Sequence, residues 1–532
     1  MKLTAALLAV VVSAAAALED EITFTGSSTF YGQSISGGQE WSEIPDSFWR
    51  WRFNPVLNLY GIPVVASVFV SSESSLQRQN MNRIYISSSP SASRESSVLS
   101  FVSSIGIGTF NPSFSDLTLN AADIAGVNLE LTPGDFYFAA AGGRNRRGVE
   151  PDDDSPGTYS RDIYAVKTGV GSPFQSHVHL CMLYGKDKAG SIREDSTFLV
   201  TPGENLVASL DFGTVMFSDN FRLNAEIAGS SYTRDTRSPE VDSDEVPQWV
   251  LDLAGINVST GFGWALDAAS SVKFTQHLLS VNFRRTGPGF ASMGSPWLKS
   301  DEMSAEARAD RFFLNRKLTL GVWYGWNTDN LTERDASTST GNTWGVRTGI
   351  SFPDYPRLFI SYSPSATITE DSVSSEIRTS MLSVSASYRR DIAGLDVNSH
   401  LAFSLHDNSA GTGSTDYSSS SIMLRETVTF HRPVVLTGCL YARRVRTGSL
   451  DTWSYTGDLR GTWYPSRSLS LTCGGYYTRG HQETKKGAVI NGGFPICSFL
   501  KVNVKGEYSV YYSTDYIDYT RTLGGAGLTV IW

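Results

Sequence analysis

The sequence predicts an all-β chain that closes into a transmembrane antiparallel up-and-down barrel of about 26 strands, with about 24 as the alternative count. Three observations predict this fold: long segments in which apolar and polar residues alternate, tight turns at regular intervals, and long polar connections between those turns. A soluble β-sandwich has no reason to place its tight turns and its long loops at opposite ends.

The alternation is clearest in the segment SFLKVNVKGEYSVYYS near the end of the chain. Apolar residues and one glycine occupy the even positions from Leu500 to Tyr512, whereas the odd positions include Lys501, Lys505 and Glu507. A period of two is that of a strand, whose successive side chains point to opposite faces. A charge facing lipid near the bilayer midplane costs about 2 to 4 kcal/mol, so these three residues are predicted to line an aqueous lumen.

Tight turns set the strand count. Ten of them are spaced 32 to 57 residues apart, and an eleventh is predicted near Gly61. Each interval fits one strand up, a loop and one strand down. The turn centres are Gly134, Phe174, Asp219, Gln276, Arg316, Tyr355, Gly394, Pro433, Ser466 and Ser498.

The two ends of the predicted hairpins differ in character. Aromatic residues crowd the short turns, whereas the opposite connections are polar, as in NTDNLTERDASTSTGNT and HDNSAGTGSTDYSSSS. Aromatic rings prefer the headgroup level of a bilayer, and outer-membrane barrels carry short periplasmic turns and longer extracellular loops. We therefore expect short periplasmic turns and long extracellular loops here.

The N-terminus predicts export. Lys2, a short apolar run and an Ala-x-Ala site form the pattern of a signal peptide, assigned to residues 1–17, and residues 18–532 are expected to form one barrel domain. The net charge of -9 and the pI of about 5.4 argue against a nucleic-acid partner. The expected location is the outer membrane of a Gram-negative bacterium.

The chain ends in GAGLTVIW. Gly527, Val530 and Trp532 resemble the C-terminal assembly signal of bacterial outer-membrane β-barrels, although Gly525 stands where a polar residue is usual. The resemblance implies membership of a large porin-like class and recognition by the barrel-assembly machinery. The segment RRTGPGFASMGSPWLKSDE resembles a motif of large uncharacterised barrels, which implies no activity.

Arginines collect near the outer strand ends. By parity Arg147 and Arg284 are predicted to point into the mouth, and Arg144, Arg146 and Arg285 toward the phosphates of outer-membrane lipid and lipopolysaccharide. The alternative is that these residues are solvated charges capping the strand ends.

His177, His179 and Cys181 alternate on one strand face and are candidate ligands of a soft transition metal. The alternative is a chance grouping without a ligand. No cofactor is predicted, and no G-x-S-x-G motif or triad spacing suggests an enzyme.

The predicted function is an outer-membrane channel, monomeric, for passive or substrate-selective passage of hydrophilic solutes. Two alternatives stay open: a non-conducting barrel that docks surface polysaccharide or an export system, and a barrel enzyme. Selectivity would come from inward residues and from loops folded into the mouth, with residues 287–302 and 240–257 as candidates.

Overall fold

The computed structural model describes residues 22–37, 46–59, 61–73, 81–90, 100–152, 156–193, 200–241, 256–371, 374–411, 416–430, 433–466, 469–481, 483–513 and 518–532. The predicted signal peptide lies outside these residues. Among the residues described, no helix is long and apolar enough to cross a membrane.

The described chain forms 26 strands, which confirms the higher of the two predicted counts. In chain order they are β1 (Ile22–Ser36), β2 (Ser47–Leu59), β3 (Ile62–Ser71), β4 (Arg83–Ser88), β5 (Val102–Phe110), β6 (Ile124–Leu131), β7 (Phe136–Arg146), β8 (Ser160–Gly171), β9 (His177–Lys188), β10 (Glu204–Met216), β11 (Phe221–Thr233), β12 (Thr260–Phe274), β13 (His277–Thr286), β14 (Glu302–Phe313), β15 (Leu318–Asp329), β16 (Thr338–Ile350), β17 (Arg357–Glu370), β18 (Ser375–Ile392), β19 (Leu395–Ala410), β20 (Tyr417–Thr429), β21 (Val434–Thr447), β22 (Leu450–Trp463), β23 (Ser470–Arg479), β24 (Glu483–Cys497), β25 (Leu500–Ser513) and β26 (Tyr519–Ile531).

Each strand pairs antiparallel with its neighbour in the chain, and β26 closes on β1 from Ser27 opposite Ile531 to Ser36 opposite Thr522. Closure leaves no unpaired sheet edge, which is the condition for a sheet to stand in lipid. The predicted all-β, up-and-down antiparallel barrel is confirmed.

The connections fall into two sets. Every predicted turn centre lies between two strands at the end that also holds both chain termini, called here the tight-turn end. The other long connections lie at the opposite end, called here the loop end, and they are concentrated before β16; the exception is the connection between β4 and β5, residues 89–101, at the tight-turn end. Between β19 and β20 only residues 411–416 connect the strands, because the polar residues on either side continue the ladder, with Asn408 opposite Tyr417.

The two faces of the wall differ as the alternation predicts. Outward apolar side chains are largely uncovered, for example Ile107 at 58%, Ile227 at 54% and Leu440 at 64% exposure. At the tight-turn end the exposed residues are mostly aromatic, including Phe174 and Phe217. This outer surface, with its apolar belt and aromatic rim, is that of an outer-membrane β-barrel.

A small apolar core lies inside the barrel, against the inner wall of β6 to β12. It combines small wall residues with large side chains from two connections at the loop end, residues 111–123 and 287–301. A wide barrel filled only by water has no such core, so these two connections occupy part of the lumen. The fully buried members are Leu117, Leu119, Ile124, Ile163, Val207 and Ala265.

Candidate functional site

Two infolded connections narrow the lumen: loop A, residues 111–123 between β5 and β6, and loop B, residues 287–301 between β13 and β14. They meet through a short parallel bridge between Leu119 and Gly294. The amide of Asn120 donates to the Gly294 carbonyl at 2.9 Å, and the Ser292 hydroxyl donates to the Thr118 carbonyl at 2.5 Å. The two loops therefore form one body inside the barrel.

Loop B is fixed to the wall by a buried asparagine. The Asn205 side chain accepts from the Met293 amide at 2.8 Å and donates to the Ala291 carbonyl at 3.0 Å, so it pairs with the loop as a strand backbone would. The Ser230 hydroxyl accepts a further hydrogen bond from the Ala291 amide at 3.1 Å. Phe290, only 2% exposed, fills the apolar core beneath the loop.

Loop A is fixed by two charged wall residues. The Glu226 carboxylate accepts from the Leu117 amide at 3.2 Å, and the Lys167 ammonium donates to the Phe114 carbonyl at 2.6 Å. Both wall side chains are buried, and Lys167 also contacts the Asp211 carboxylate at 2.7 Å. Buried charges need such partners, because an isolated one would lose its hydration without compensation.

Arg284 joins the wall to both loops. Its guanidinium pairs with Asp267 on the neighbouring strand and with Asp116 of loop A at 3.3 Å. The same group lies over the Trp297 ring of loop B, 4.7 Å from the ring centroid. A planar cation suits this position because its edge binds carboxylates while its face covers an aromatic ring.

Four of these groups, Asp211, Glu226, Asp267 and Arg284, belong to one level of the inner wall. Strand register places one inward residue of each strand from β8 to β14 side by side, and most of them are polar or charged. In wall order they are Gly169, His179, Asp211, Glu226, Asp267, Arg284 and Ser304.

Glycines, which have no side chain, make room for loop B. A β-carbon on Gly263 of β12 would lie 2.5 Å from the Gly289 carbonyl carbon and closer still to the backbone of Phe290. Gly294 is similarly crowded by Leu183 and by the Thr118 carbonyl. The close approach of loop to wall therefore depends on glycine at these points.

A polar cavity of about 610 Å³ lies beside the two loops. Carboxylates, one guanidinium, two amides and an indole face it, a set that can hydrogen-bond and stack on a small hydrophilic molecule. The lining includes Asp116, Asp267, Asn282, Arg284, Glu306 and Trp323.

Charged groups continue around the inner wall beyond the loops. Asp310, with a 1% exposed side chain, accepts from Arg347 at 2.8 Å and from Arg308 at 3.0 Å. On the far side, the Tyr476 hydroxyl donates to Glu507 at 2.8 Å. Ion pairs and hydrogen bonds of this kind stabilise the water-facing inner wall where no apolar core covers it.

The structure places the predicted lumen residues as follows. Arg284 lies at the two loops, whereas Lys501, Lys505 and Glu507 lie on the inner face of β25, on the opposite part of the wall. Arg147 comes directly after β7. The five predicted residues are therefore not brought together into one site.

Of the residues predicted to face lipid, Arg144 and Arg285 point outward, Arg285 with its guanidinium over the Trp264 ring at 5.2 Å. The orientation predicted for Arg146 is wrong. A β-bulge between Arg144 and Arg146 shifts the register with β8, so the parity changes and Arg146 turns inward. There it contacts the buried Asp187 at 3.5 Å.

The C-terminal residues close the barrel. The Gly26 amide donates to the Trp532 carbonyl at 3.0 Å, and the Trp532 amide donates back at 3.2 Å. The Trp532 ring stacks on Phe24 at 5.6 Å. Val530 lies opposite Ser28, and Gly527 opposite Tyr31, both on the first strand, so all three predicted assembly residues lie at the closing seam.

His177, His179 and Cys181 share the inner face of β9, and all three are buried. Cys181 lies between Lys167 and Ser209 in the register, one level above His179 and two above His177. Asp211, which lies directly opposite His179, comes closer to the two imidazoles.

Sequence reasoning missed Asn205, Lys167, Asp211 and Glu226 as site residues. Alternation in β10 and β11 does assign Asn205, Asp211 and Glu226 to the polar face. Their partners lie on loops distant in the chain, so the strand pattern alone carries no signal for them.

No protein-family model matches the chain, and no curated protein matches its sequence. Among solved structures, the siderophore receptor PirA from Pseudomonas aeruginosa is 10% identical, with 96% of this chain and 80% of that chain covered and a TM-score of 0.41. The P pilus usher PapC translocation pore is 9% identical, with 95% and 99% covered and a TM-score of 0.41. OpdQ from Pseudomonas aeruginosa is 14% identical, with 68% and 96% covered and a TM-score of 0.36. This chain is itself an outer-membrane β-barrel by its closed sheet and its apolar outer belt.

Proposed function

We propose that this barrel is an outer-membrane channel for small hydrophilic solutes, in which loops A and B form the constriction. The observation that carries the proposal is the attachment of both loops to the inner wall by Asn205, Glu226, Lys167 and Arg284. Loops held inside a polar barrel reduce the diameter of its lumen, and their side chains select which solutes pass.

The polar cavity beside the loops supports passage of hydrophilic rather than apolar molecules. Asp267 and Glu306 offer acceptors, Arg284 offers donors, and Trp323 offers a flat ring. A solute with hydroxyl or amino groups exchanges its hydration shell for these partners as it passes. Exposed Lys501 and Lys505 continue the wet surface on the opposite wall.

In this proposal the tight-turn end faces the periplasm and the loop end faces outward, as in other outer-membrane barrels. The barrel-assembly machinery recognises the C-terminal residues Gly527, Val530 and Trp532. Arg144 and Arg285, which point outward near the loop end, bind phosphates of the surrounding lipid and lipopolysaccharide. We propose that the protein functions as a monomer, in which one chain completes the barrel.

Planar-bilayer recording tests the proposal. Purified, tag-free barrel should give discrete conductance steps, and liposomes containing it should swell in small sugars faster than protein-free liposomes. Folding is verified by the shift in gel mobility between unheated and boiled samples. Folded protein that gives neither conductance nor swelling would contradict a channel and favour the docking barrel.

A further inference from the structure

Two buried imidazoles lie at the tight-turn end of β9. His177 is 6% exposed and His179 is fully buried, and their rings stack with centroids 4.6 Å apart. Asp211 of β10 lies beside them, with Oδ1 3.4 Å from His177 Nε2. One donor atom from each residue lies within 4.8 Å of the other two.

Backbone carbonyls fix the tautomer of each ring. His177 donates through Nδ1 to the Gln175 carbonyl at 2.9 Å, and His179 donates through Nε2 to the Gly171 carbonyl at 3.0 Å. A carbonyl only accepts, so each neutral ring keeps its proton on that nitrogen. The lone pairs are therefore left on His177 Nε2 and His179 Nδ1.

His179 Nδ1 is buried without a hydrogen-bond partner among the residues that the structure describes, and the equally buried His177 Nε2 faces Asp211 Oδ1 at 3.4 Å. A buried acceptor without a partner costs free energy, and such groups call for a missing ion or molecule. A carbonyl that holds the other ring nitrogen is the arrangement by which proteins orient histidine ligands of metals. The unpartnered His179 Nδ1, beside His177 Nε2 and Asp211 Oδ1, therefore points to a ligand.

Asp211 is oriented in the same way. Its Oδ2 accepts from the Lys167 ammonium at 2.7 Å, which leaves Oδ1 turned toward His177. The site therefore presents two neutral nitrogens and one carboxylate oxygen.

Glycines give the rings their space. A β-carbon on Gly213, opposite His177, would collide with that ring, and one on Gly169, opposite His179, would lie 2.8 Å from the ring carbon Cδ2. The two positions keep both rings flat against the inner wall.

We propose that His177, His179 and Asp211 bind a divalent transition metal ion of the zinc type. Two imidazoles and a carboxylate suit Zn²⁺, Co²⁺ or Ni²⁺, with water in the fourth position. Tetrahedral ligands at about 2.1 Å from zinc are about 3.4 Å apart. The donor atoms lie within 4.8 Å and the two rings are stacked at 15°, so binding turns at least one ring out of the stack. Ions enter from the tight-turn end, where Gln175 is exposed.

This set replaces the one predicted from the sequence, which included Cys181. Register explains the difference: Asp211 is level with His179, whereas Cys181 is level with Lys167 and Ser209.

The site also connects to loop A. Lys167 holds Asp211 with one hydrogen bond and the Phe114 carbonyl of loop A with another at 2.6 Å. Metal binding fixes Asp211 and so fixes Lys167 beneath the loop.

Cobalt titration of the tag-free, full-length barrel in detergent tests the proposal. We expect one Co²⁺ per chain, with visible ligand-field bands that Zn²⁺ abolishes by displacement. His177→Gln, His179→Gln and Asp211→Asn should each weaken binding by roughly 10- to 100-fold or more. His400→Gln, which removes another inner-wall imidazole, and Cys181→Ser should leave binding unchanged.

Three results would overturn the proposal. The first is no binding of Co²⁺ or Zn²⁺ by folded wild-type barrel at micromolar concentrations. The second is unchanged affinity in both histidine variants, which decide the question even if Asp211→Asn fails to fold. The third is a cobalt–thiolate charge-transfer band that disappears in Cys181→Ser, since it would assign the ion to the cysteine.

Discussion

Gly263→Ala should detach loop B from the wall. The new methyl carbon would lie 2.5 Å from the Gly289 carbonyl carbon, whereas ordinary carbon contacts need about 3.5 Å, so the loop must retreat by more than about 1 Å. The crowded atoms are backbone, which no side-chain rotation relieves. Gly263 does not have a positive φ, so alanine fits the strand conformation itself.

The cost of this displacement follows from the contacts it breaks. Three hydrogen bonds hold residues 291 and 293 at 2.8 to 3.1 Å, and at about 1 kcal/mol each they contribute about 3 kcal/mol. Loss of part of the Phe290 burial adds about 1.5 to 3 kcal/mol. A change of about 4 to 6 kcal/mol shifts the docked-to-released ratio by roughly 10³-fold or more.

Single-channel recording measures the effect. If loop B narrows the bore, Gly263→Ala should conduct more in each open step than the wild type. The matched control is Gly261→Ala, two residues earlier on the same strand and face, where nothing lies within 4 Å of the new carbon. Faster trypsin cleavage at the exposed Lys299 reports that the loop has moved. Faster cleavage with unchanged conductance would refute loop B as the constriction.

Three further substitutions test other parts of the molecule. Arg284→Ala leaves Asp116 and Asp267 without their cation, so reversal potentials in a salt gradient should shift toward cation selectivity. Asp310→Asn should destabilise the barrel by about 2 to 3 kcal/mol in urea unfolding, less than a fully buried pair because its arginines are 32% and 38% exposed. Trp532→Ala removes the ring stacked at the closing seam and should lower the folded fraction seen by gel mobility.

Each substitution has a control on the same chain. Arg285→Ala removes an outward guanidinium and should leave the reversal potential unchanged. Asp219→Asn breaks a turn pair with about half-exposed side chains and should leave unfolding unaltered. Ile531→Ala removes a 55% exposed side chain next to Trp532 and should fold normally. Equal effects in a variant and its control would contradict the role assigned to that residue.

The sequence by itself determined the strands, the turns and the two faces of the wall. These properties are local: a period of two is visible in ten residues, and a tight turn in four. Alternation therefore predicted that Lys501 and Glu507 face the lumen and Leu500 faces outward, without any knowledge of strand pairing. The residues between strands also indicated two candidate infolded loops, 287–302 and 240–257; most of the second lies outside the residues that the structure describes.

Only the tertiary structure decided which side chains form the constriction and the metal site. Asn205 binds loop B and Glu226 binds loop A, and in each case the two bonded residues are more than 80 positions apart in the sequence. Register, not sequence spacing, brings Asp211 to His179, and a single bulge turns Arg146 inward against its parity. Alternation is set by the backbone of one strand, whereas loop docking and strand register depend on contacts between segments that are adjacent only after the barrel has closed.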